Sequence, residues 1–248
     1  NITFQKNKLL SLNGMYNGEY ISASEYTVIA GLDGAGFHGG YNNIVYQIVG
    51  QPLGVFYLPH CTGLVPDGNG GYKYEIADLN GGGVNLEDGE HRYVAGQAMP
   101  KTLLGSNISF RYKRFDVSLQ INEAFGHKIY NGTSLTYMNM NILPDYNVME
   151  EAPRQMIKDQ TATDYWLEDG DYINFDYLTV GYDVPLKNTK FLHNMRLAFT
   201  INNLGTISGY SGLTPLINSM TVDSTLGVDD KRTYPLSRTY TLSLSLNF

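Results

Sequence analysis

The sequence predicts an all-β fold whose pattern is typical of a segment of a membrane β-barrel. Apolar and polar residues alternate with a period of two, over stretches longer than the roughly five or six residues of an ordinary strand. Aromatic residues make up 12% of the 248-residue chain and cluster near the ends of these stretches. Short and long connections alternate, as in barrels with tight turns on one side of the membrane and long loops on the other.

The strand patterns before residue 100 are the weaker ones. Within residues 1–12 we expect one strand end, a turn at 6–8 and the start of a second strand. Further strands are expected within 20–30, at 43–49 and at 53–60. The opening Asn1-Ile2-Thr3-Phe4 already alternates, so we expect a truncated or processed chain that starts inside a strand.

Two long strands joined by a tight turn are expected at 105–122. Apolar residues occupy every second position from Ile108 to Tyr112, and the alternation resumes at Phe115 with the opposite parity. A parity change requires a bulge or a very tight turn, and the spacing favours a two-residue hairpin at Lys113-Arg114. A second parity change lies between Tyr172 and Tyr182, where we place a bulge near Tyr177.

The clearest strands lie in the last quarter of the chain. Residues 194–202 alternate regularly, and so do the last twelve residues, 237–248. At about 3.3 Å per residue, twelve residues reach roughly 40 Å, enough for a tilted membrane crossing. One face of this last strand carries Tyr240, Leu242, Leu244, Leu246 and Phe248. In total we expect about eight to ten antiparallel strands.

Three long connections, at 61–104, 128–171 and 205–236, are expected to be extracellular loops. Structureless loops of that size are uncommon in soluble domains. A short helix is expected within 150–160, and the glycines at 68–71 and 81–83 are expected at flexible loop tips. No internal repeat or domain linker is visible.

The composition excludes several classes of function. Asp and Glu number 24 against 17 Lys and Arg, a net charge of −7 that argues against a nucleic-acid partner. The single cysteine, Cys61, excludes an internal disulfide and a multi-cysteine zinc site. No nucleophile-elbow, phosphate-loop or dinucleotide-binding motif occurs, so we expect no enzyme, no catalytic residue and no cofactor.

Two groups of carboxylates were weighed as sites and are interpreted as structural. A glycine-rich loop offers oxygen ligands of the kind that Ca²⁺ prefers, but their spacing does not fit an EF-hand loop. We expect this loop to be solvated and to hold no metal; its residues are Asp78, Asn80, Asn85, Glu87 and Asp88. Glu168 and Asp169 are adjacent, so on an extended chain they face opposite ways and make a poor acid–base pair.

The sequence does not identify individual ligand-binding residues. Polar residues on the alternating faces are candidates for a barrel lumen: Arg111, Lys113, Gln120, Asn122, Arg196, Asn202 and Arg238. Aromatic residues in the predicted loops are candidates for stacking on sugars or peptides, or for packing onto a partner protein: Tyr137, Tyr146, Tyr165 and Tyr210.

Alternation by itself does not separate a membrane barrel from a soluble protein, because one face is apolar in both. A self-contained small β-barrel and a soluble β-sandwich binding module therefore remain alternatives. Either would need a first and a last strand that pair within these residues.

Several segments, in this order and spacing, resemble the C-terminal part of SusC/RagA-type TonB-dependent outer-membrane transporters of Bacteroidetes. The resemblance runs from about Gly50 to Phe248. It departs from the family pattern at Asn174, where a basic residue is usual, and at Gly205, where phenylalanine is common. We interpret both positions as structural rather than functional. The matching segments with a stated pattern are Gly50–Tyr57 (G-x-P-x-G-x-x-Y), Gly96–Lys101 (G-x-x-x-P-K), Phe110–Ser118 (F-x-Y-K-x-F-D-L-S), Trp166–Ile173 (W-x-E-D-G-x-[FY]-[LI]) and Leu178–Pro185 (L-T-L-G-Y-x-[LF]-P). Further matching segments are Phe125–Asn131, Asn202–Leu204, Tyr210–Gly212 and, near the end of the chain, Tyr234-Pro235, Arg238-Thr239-Tyr240 and Phe248.

The resemblance implies that residues 1–248 are the C-terminal part of a roughly 22-stranded receptor barrel, with the plug and N-terminal domains absent from this chain. It implies import of large nutrients, oligosaccharides or oligopeptides, across the outer membrane and its lipids. A SusD-like surface lipoprotein would act as a lid, and the TonB–ExbBD complex would supply energy through the missing N-terminal region.

The resemblance also implies roles for particular residues. The final strand, with Tyr240, Leu242, Leu244, Leu246 and Phe248, would be the barrel insertion signal. The structural residues of the family motifs would be Trp166, Glu168, Asp169, Gly170, Gly181 and Tyr182.

Overall fold

The computed structural model describes residues 1–22, 25–32, 43–86, 91–186, 191–217, 226–231, 233, 234 and 236–248. The strands within these residues are β1 (Ile2–Phe4), β2 (Gly14–Tyr16), β3 (Glu19–Ile21), β4 (Tyr26–Gly31), β5 (Asn43–Ile48), β6 (Val55–Pro59), β7 (Cys61–Pro66), β8 (Tyr72–Ile76), β9 (Arg92–Gln97), β10 (Thr102–Tyr112), β11 (Phe115–Phe125), β12 (Lys128–Asn131), β13 (Leu167–Asp169), β14 (Tyr172–Asp183), β15 (Asn194–Ser208), β16 (Val228–Asp229) and β17 (Thr239–Asn247). The helices are α1 (Gly132–Tyr137) and α2 (Ala152–Gln155), with single 3₁₀ turns at Met140–Ile142 and Asp164–Trp166. The all-β prediction is confirmed.

Six strands form one antiparallel sheet, here called the large sheet, in the order β1-β10-β11-β14-β15-β17. The predicted two-residue hairpin joins β10 to β11, because Tyr112 pairs directly with Phe115. Lys113, in this turn, has a left-handed φ of 54°. The predicted bulge is present at Asp176, where the pairing of β14 shifts against both β11 and β15.

The two faces of the large sheet differ in polarity as the alternation predicts. One face carries exposed apolar side chains from neighbouring strands: Ile108, Phe110, Tyr112, Phe115, Val180, Leu197, Phe199, Tyr240, Leu242, Leu244 and Leu246. The register brings them side by side, for example Leu197 against Leu244 and Phe199 against Leu242. The opposite face is polar and carries ion pairs.

A second part of the chain, here called the compact region, has its own buried core. It comprises β4–β9, β12, β13, β16, α1 and α2, arranged as the sheets β4-β5-β6-β9 and β13-β12-β16 and the hairpin β7-β8. Its core residues come from widely separated segments, including Ile44, Phe56, Tyr130, Ile157 and Val228, all of them almost fully buried.

The predicted strand count and loops differ from the structure. Seventeen strands lie within the described residues, of which six form the large sheet, against an expectation of eight to ten. The segments 61–104 and 128–171, expected as loops, contain β7–β9 and β12, α1, α2 and β13. These strands are short and pair at long range, so their own sequence carries little periodicity. The short helix expected within 150–160 is α2.

No helix within the described residues is both long and apolar enough to cross a membrane.

Besides residues 98–101, which lead from β9 to β10, two short links that lie side by side join the large sheet to the compact region. Gly126 and His127 connect β11 to β12, and Gly170 and Asp171 connect β13 to β14. We call these four residues the rim joint. Because β12 pairs with β13 and β11 pairs with β14, the chain crosses the joint twice in opposite directions.

Candidate functional site

Hydrogen bonds between the two links hold the rim joint together. The backbone N–H of Gly170 donates to the carbonyl of His127 over 3.0 Å. The backbone N–H of Gly126 donates to the Asp171 carboxylate, Oδ1, over 2.6 Å. The Tyr172 ring packs edge-on against the His127 ring at 6.2 Å between centroids. The joint is therefore a fixed geometry rather than a free loop.

Glycine is required at position 170 by the neighbouring imidazole. A Cβ there would lie 2.7 Å from both Cδ2 and Nε2 of His127, closer than packed atoms approach. The His127 side chain is in turn buried, and its Nδ1 lies 3.8 Å from the Asp171 carboxylate without a hydrogen-bond partner among the described residues. Burial lowers the pKa of His127, against the opposing attraction of Asp171 and Asp169.

A cavity of about 390 Å³ opens beside the rim joint, between the ends of the large sheet and the compact region. His127 and Asp171 of the joint line it together with the charged residues Lys101, Lys128 and Asp169. Its other walls come from two segments of the compact region, Gln51–Val55 and β9. Lys128 is paired with Asp169, Nζ to Oδ1, over 2.7 Å.

The motif residues Trp166 and Glu168 anchor the strand that leads into the joint. Trp166 packs against the core of the compact region, and its Nε1–H donates to the Tyr74 hydroxyl over 2.6 Å. Burial raises the pKa of Tyr74, which keeps that hydroxyl neutral. Glu168 accepts hydrogen bonds from the Asn131 amide at 2.8 Å and from the Ser211 hydroxyl at 2.7 Å. These contacts are of the kind expected if Trp166 and Glu168 have the structural role that the resemblance implies.

Two carboxylates, the buried Asp229 and the partly buried Asp164, organise the compact region and were not singled out in the sequence. Asp229 accepts hydrogen bonds from the hydroxyls of Tyr210 and Thr133, each over 2.7 Å. Tyr210 was expected to be an exposed loop aromatic that stacks on a ligand or packs onto a partner protein; it is buried, so the expected exposure is wrong. Asp164 accepts hydrogen bonds from His60 Nδ1 and the Tyr93 hydroxyl, each over 2.6 Å. Neither group has a sequence signature, because its members come from distant segments.

The other three predicted stacking residues differ in exposure. Tyr146 and Tyr165 are exposed, and Tyr137 is partly buried in α1. Tyr165 packs against Trp166 and Tyr74, which ties it to the motif.

The polar face of the large sheet brings together most of the predicted lumen residues. Near the hairpin, Arg111 pairs with Asp183, and Arg196 binds Asp116 through Nη2 at 2.5 Å and Nε at 3.2 Å. Gly181 lies beneath the second pair, where a Cβ would be 2.5 Å from the Asp116 carboxylate.

The other predicted lumen residues follow along this face. Asn107 donates to Gln120 and to the Tyr177 hydroxyl, and Asn122 donates to Asp176 at the bulge. Asn202 donates to Thr239. Lys113 lies instead in the hairpin turn, and Arg238 donates to backbone carbonyls of Asn203 and Leu204.

The remaining motif residue, Tyr182, stacks obliquely on Phe115 at 4.6 Å between ring centroids. The predicted insertion residues on β17, together with Phe248 beyond its end, are exposed and apolar.

In the candidate calcium loop, the Asp78 carboxylate accepts hydrogen bonds from the backbone N–H groups of Asn80, Gly81 and Gly83. These bonds hold the pKa of the Asp78 carboxyl below its ordinary value. Asp78 therefore shapes a loop tip, as expected of a solvated loop. Glu87 and Asp88 lie outside the described residues, and the residues that are described contain no cluster of metal-ligating side chains.

Comparison with known proteins gives two kinds of relative, while no family model matches the chain. The chain is 27% identical over 230 residues to TonB-dependent receptor P3 of Formosa agariphila, covering 80% of this chain and 22% of the receptor. A solved structure of the RagAB peptide transporter matches with a TM-score of 0.59 and 17% identity, over 82% of this chain and 24% of that chain. The RagAB peptide importer in its "open-open" state matches with a TM-score of 0.59 and 15% identity, over 86% and 25%.

The chain thus spans about a fifth to a quarter of the length of the relatives it matches. These findings confirm its resemblance to a portion of a SusC/RagA-like TonB-dependent receptor. The solved structures confirm the fold. The relatives are described as a receptor and as a transporter, not as enzymes, which agrees with the prediction that this chain is not an enzyme.

Proposed function

We propose that this chain forms part of the wall of an outer-membrane, TonB-dependent importer of large nutrients such as oligosaccharides or oligopeptides. The observation that carries the proposal is the large sheet, which has one exposed apolar face and one face of ion pairs and amides. That division suits a sheet between lipid and a hydrated lumen. The descriptions of the relatives as a TonB-dependent receptor and a peptide importer support the same function.

The mechanism would be binding and gating rather than bond-making. On the lipid side, side chains such as Phe110 and Leu242 would contact acyl chains in the multi-pass wall. On the lumen side, Arg111, Asp116, Asp183 and Arg196 would remain hydrated while cargo passes. Their pairing in opposite signs leaves no strong net charge on this part of the wall.

The partners follow from the resemblance. A SusD-like lipoprotein would cover the compact region, which lies at the end of the large sheet opposite the tight hairpin. RagAB is described in "closed-closed" and "open-open" states, which supports a lid that moves. The TonB–ExbBD complex would act through an N-terminal region of the longer protein, upstream of the 248 residues.

Insertion of the wall would use the last strand. β17 pairs on one side with β15 and is the outermost strand of the large sheet within the described residues. Its apolar face, Tyr240 to Leu246, and the exposed Phe248 would be the signal that the insertion machinery recognises.

No observation favours the alternatives of a self-contained small barrel or a soluble sandwich. Both need the first and last strands to pair. Within the described residues, β1 and β17 lie at opposite edges of the large sheet and have no pairing with each other. The apolar face also remains exposed, whereas a sandwich would cover it with a second sheet.

The test is purification of the full-length protein from native outer membranes in mild detergent, followed by mass spectrometry of everything retained. The affinity tag is inserted at Gly82, an exposed loop glycine with open space around it, because a tag after Phe248 would mask the proposed insertion signal. We expect upstream barrel and plug peptides and one surface lipoprotein. Recovery of the 248-residue chain alone from the soluble fraction would overturn the proposal.

A further inference from the structure

We propose that the cavity at the rim joint binds a carboxylate group of the imported cargo, with Lys101 as its main ligand. This inference rests on the proposed function, because it assigns a contact to the cargo of that importer. It goes beyond it by naming a chemical group and the residue that receives it.

The first argument is that the aliphatic stems of both cavity lysines pack on glycines, although Lys101 itself is exposed. The stem of Lys128 lies over Gly96, where a Cβ would be 2.8 Å from the lysine Cγ. The stem of Lys101 lies over Gly126, where a Cβ would be 3.1 to 3.3 Å from Cβ, Cγ and Cδ of the lysine. A lysine with a seated stem loses less conformational entropy when its ammonium group binds a ligand.

The second argument is that the two ammonium groups differ in their partners. Lys128 is neutralised by Asp169 at 2.7 Å. Lys101 has neither an ion-pair partner nor a side-chain hydrogen bond among the described residues, although it lines the cavity. A positioned cation without an anion is the expected receptor for one.

The third argument is the shape of the space around Lys101. A second cavity, of about 510 Å³, lies on its other side and shares the lining residues Pro52, Gln97 and Lys101 with the first. This second cavity is lined by Lys6 and by the apolar ring of Phe4. The two cavities therefore offer a place for a carboxylate and, beside it, room for the rest of an extended ligand. With Lys6 included, three lysines face two aspartates, so the lining is net positive in a chain of net charge −7.

The fourth argument is the buried imidazole in the cavity wall. His127 Nδ1 has no hydrogen-bond partner among the described residues and lies 3.8 Å from Asp171. A buried polar atom without a partner requires an explanation, and a position in the wall of a binding cavity is one. A small shift of the Asp171 carboxylate on ligand binding would give His127 a partner.

Two kinds of cargo could supply the carboxylate group: a peptide, through its carboxylate, and an acidic oligosaccharide, through a uronate. The test uses the purified full-length transporter and three probes: N-acetyl-tetraalanine as the free acid, the same peptide as its C-terminal amide, and trigalacturonate. Binding is measured by isothermal titration calorimetry. A charge-assisted contact is worth about tenfold or more in affinity, so we expect a carboxylate probe to bind that much more tightly than the amide.

The variants separate this contact from general effects. Lys101→Met is expected to abolish the preference for the carboxylate probe, and Lys101→Arg to retain most of it. The matched control is Lys73→Met, because Lys73 is an exposed lysine of β8 outside both cavities, and it should bind like the wild type.

Preference for the free-acid peptide identifies a peptide source, and Lys101-dependent binding of trigalacturonate identifies a glycan source. The proposal is overturned if neither carboxylate probe binds more tightly than the amide, or if Lys101→Met leaves the preference intact. The comparison of the free acid with the amide uses the wild-type transporter alone. It therefore tests the proposal even if the Lys101→Met variant does not fold. Failure of the transporter function would appear separately, in the copurification experiment.

Discussion

At the scale of single residues, Gly181 shows how an absent side chain makes room for a charged pair. It lies on β14 between Asp116 and Ala198 of the neighbouring strands, beneath the contact of Arg196 with Asp116. The family pattern L-T-L-G-Y contains a glycine at this position, and the crowding above it gives a physical reason for the residue.

Gly181→Ala is therefore expected to force Arg196 and Asp116 apart and to destabilise the sheet. The matched control is Gly205→Ala on β15, because a Cβ at Gly205 meets nothing within 4 Å. Relative to that control, we expect a loss of about 1 to 3 kcal/mol in the free energy of unfolding, the usual cost of overpacking. Urea titration of the purified full-length protein in detergent measures it. Equal stability of the two variants would contradict the interpretation.

His127 makes the rim joint sensitive to acid. Burial lowers its pKa in the folded protein, so an opened joint takes up a proton more readily than a closed one as the pH falls through about 6.5. Asp171 and Asp169 oppose this effect. The other charged groups that line the same cavity are Lys101 and Lys128. The stability gained from the neutral imidazole is present above that pH and is lost below it.

We expect amide hydrogen exchange at residues 126–129 to accelerate between pH 7 and pH 5.5, after correction for intrinsic exchange rates. His127→Gln removes the titrating group and should flatten this dependence. The same pH dependence in the variant would assign the effect to another group.

At the scale of elements, the long strands of the large sheet are the part that the sequence predicts well. Period-two alternation locates β10, β11, β14, β15 and β17, and parity changes locate the hairpin and the bulge. β15 continues to Ser208, beyond the predicted 194–202 and into the segment 205–236 that was expected to be a loop. The faces of β17 can therefore be tested against each other within one strand.

Leu244→Arg places a charge on the apolar face of β17, and Ser243→Arg places the same charge on the opposite face. If the apolar face meets lipid, the first substitution costs about 2–4 kcal/mol near the bilayer midplane and the second far less. The measured quantity is the amount of folded, heat-modifiable barrel in outer membranes. Equal amounts of the two variants would argue against a lipid-facing β17.

The sequence does not predict most of the compact region or of the candidate site. Its core joins Phe56, Tyr130 and Val228, whose strands are too short to show periodicity. The motifs contain Trp166, Glu168 and Gly170, but they do not show that these residues contact Tyr74, Asn131 and His127. Those partners are distant in sequence, and only the fold brings them together. Lys101 and Gly126 each fall in segments matched to the family, yet their contact with each other has no linear signal.

At the scale of the whole molecule, the large sheet leaves both β1 and β17 unpaired on one side within the described residues. Open strand edges and a wide apolar face promote association between chains. The wall is therefore expected to need its neighbouring strands, a lipid or detergent surface, or both.

We expect the 248-residue chain, expressed alone, to form oligomers or aggregates in the absence of detergent. Size-exclusion chromatography with light scattering measures its mass in buffer and in detergent. A monodisperse soluble monomer in buffer would favour the binding-module alternative over a piece of a barrel wall.

The rim joint has a mechanical consequence. The compact region is attached to β11 and β14 through two antiparallel links of two residues each, which hydrogen bonds tie to each other. One link cannot turn alone unless these hydrogen bonds break. We therefore expect the compact region and the adjoining ends of β11 and β14 to move together.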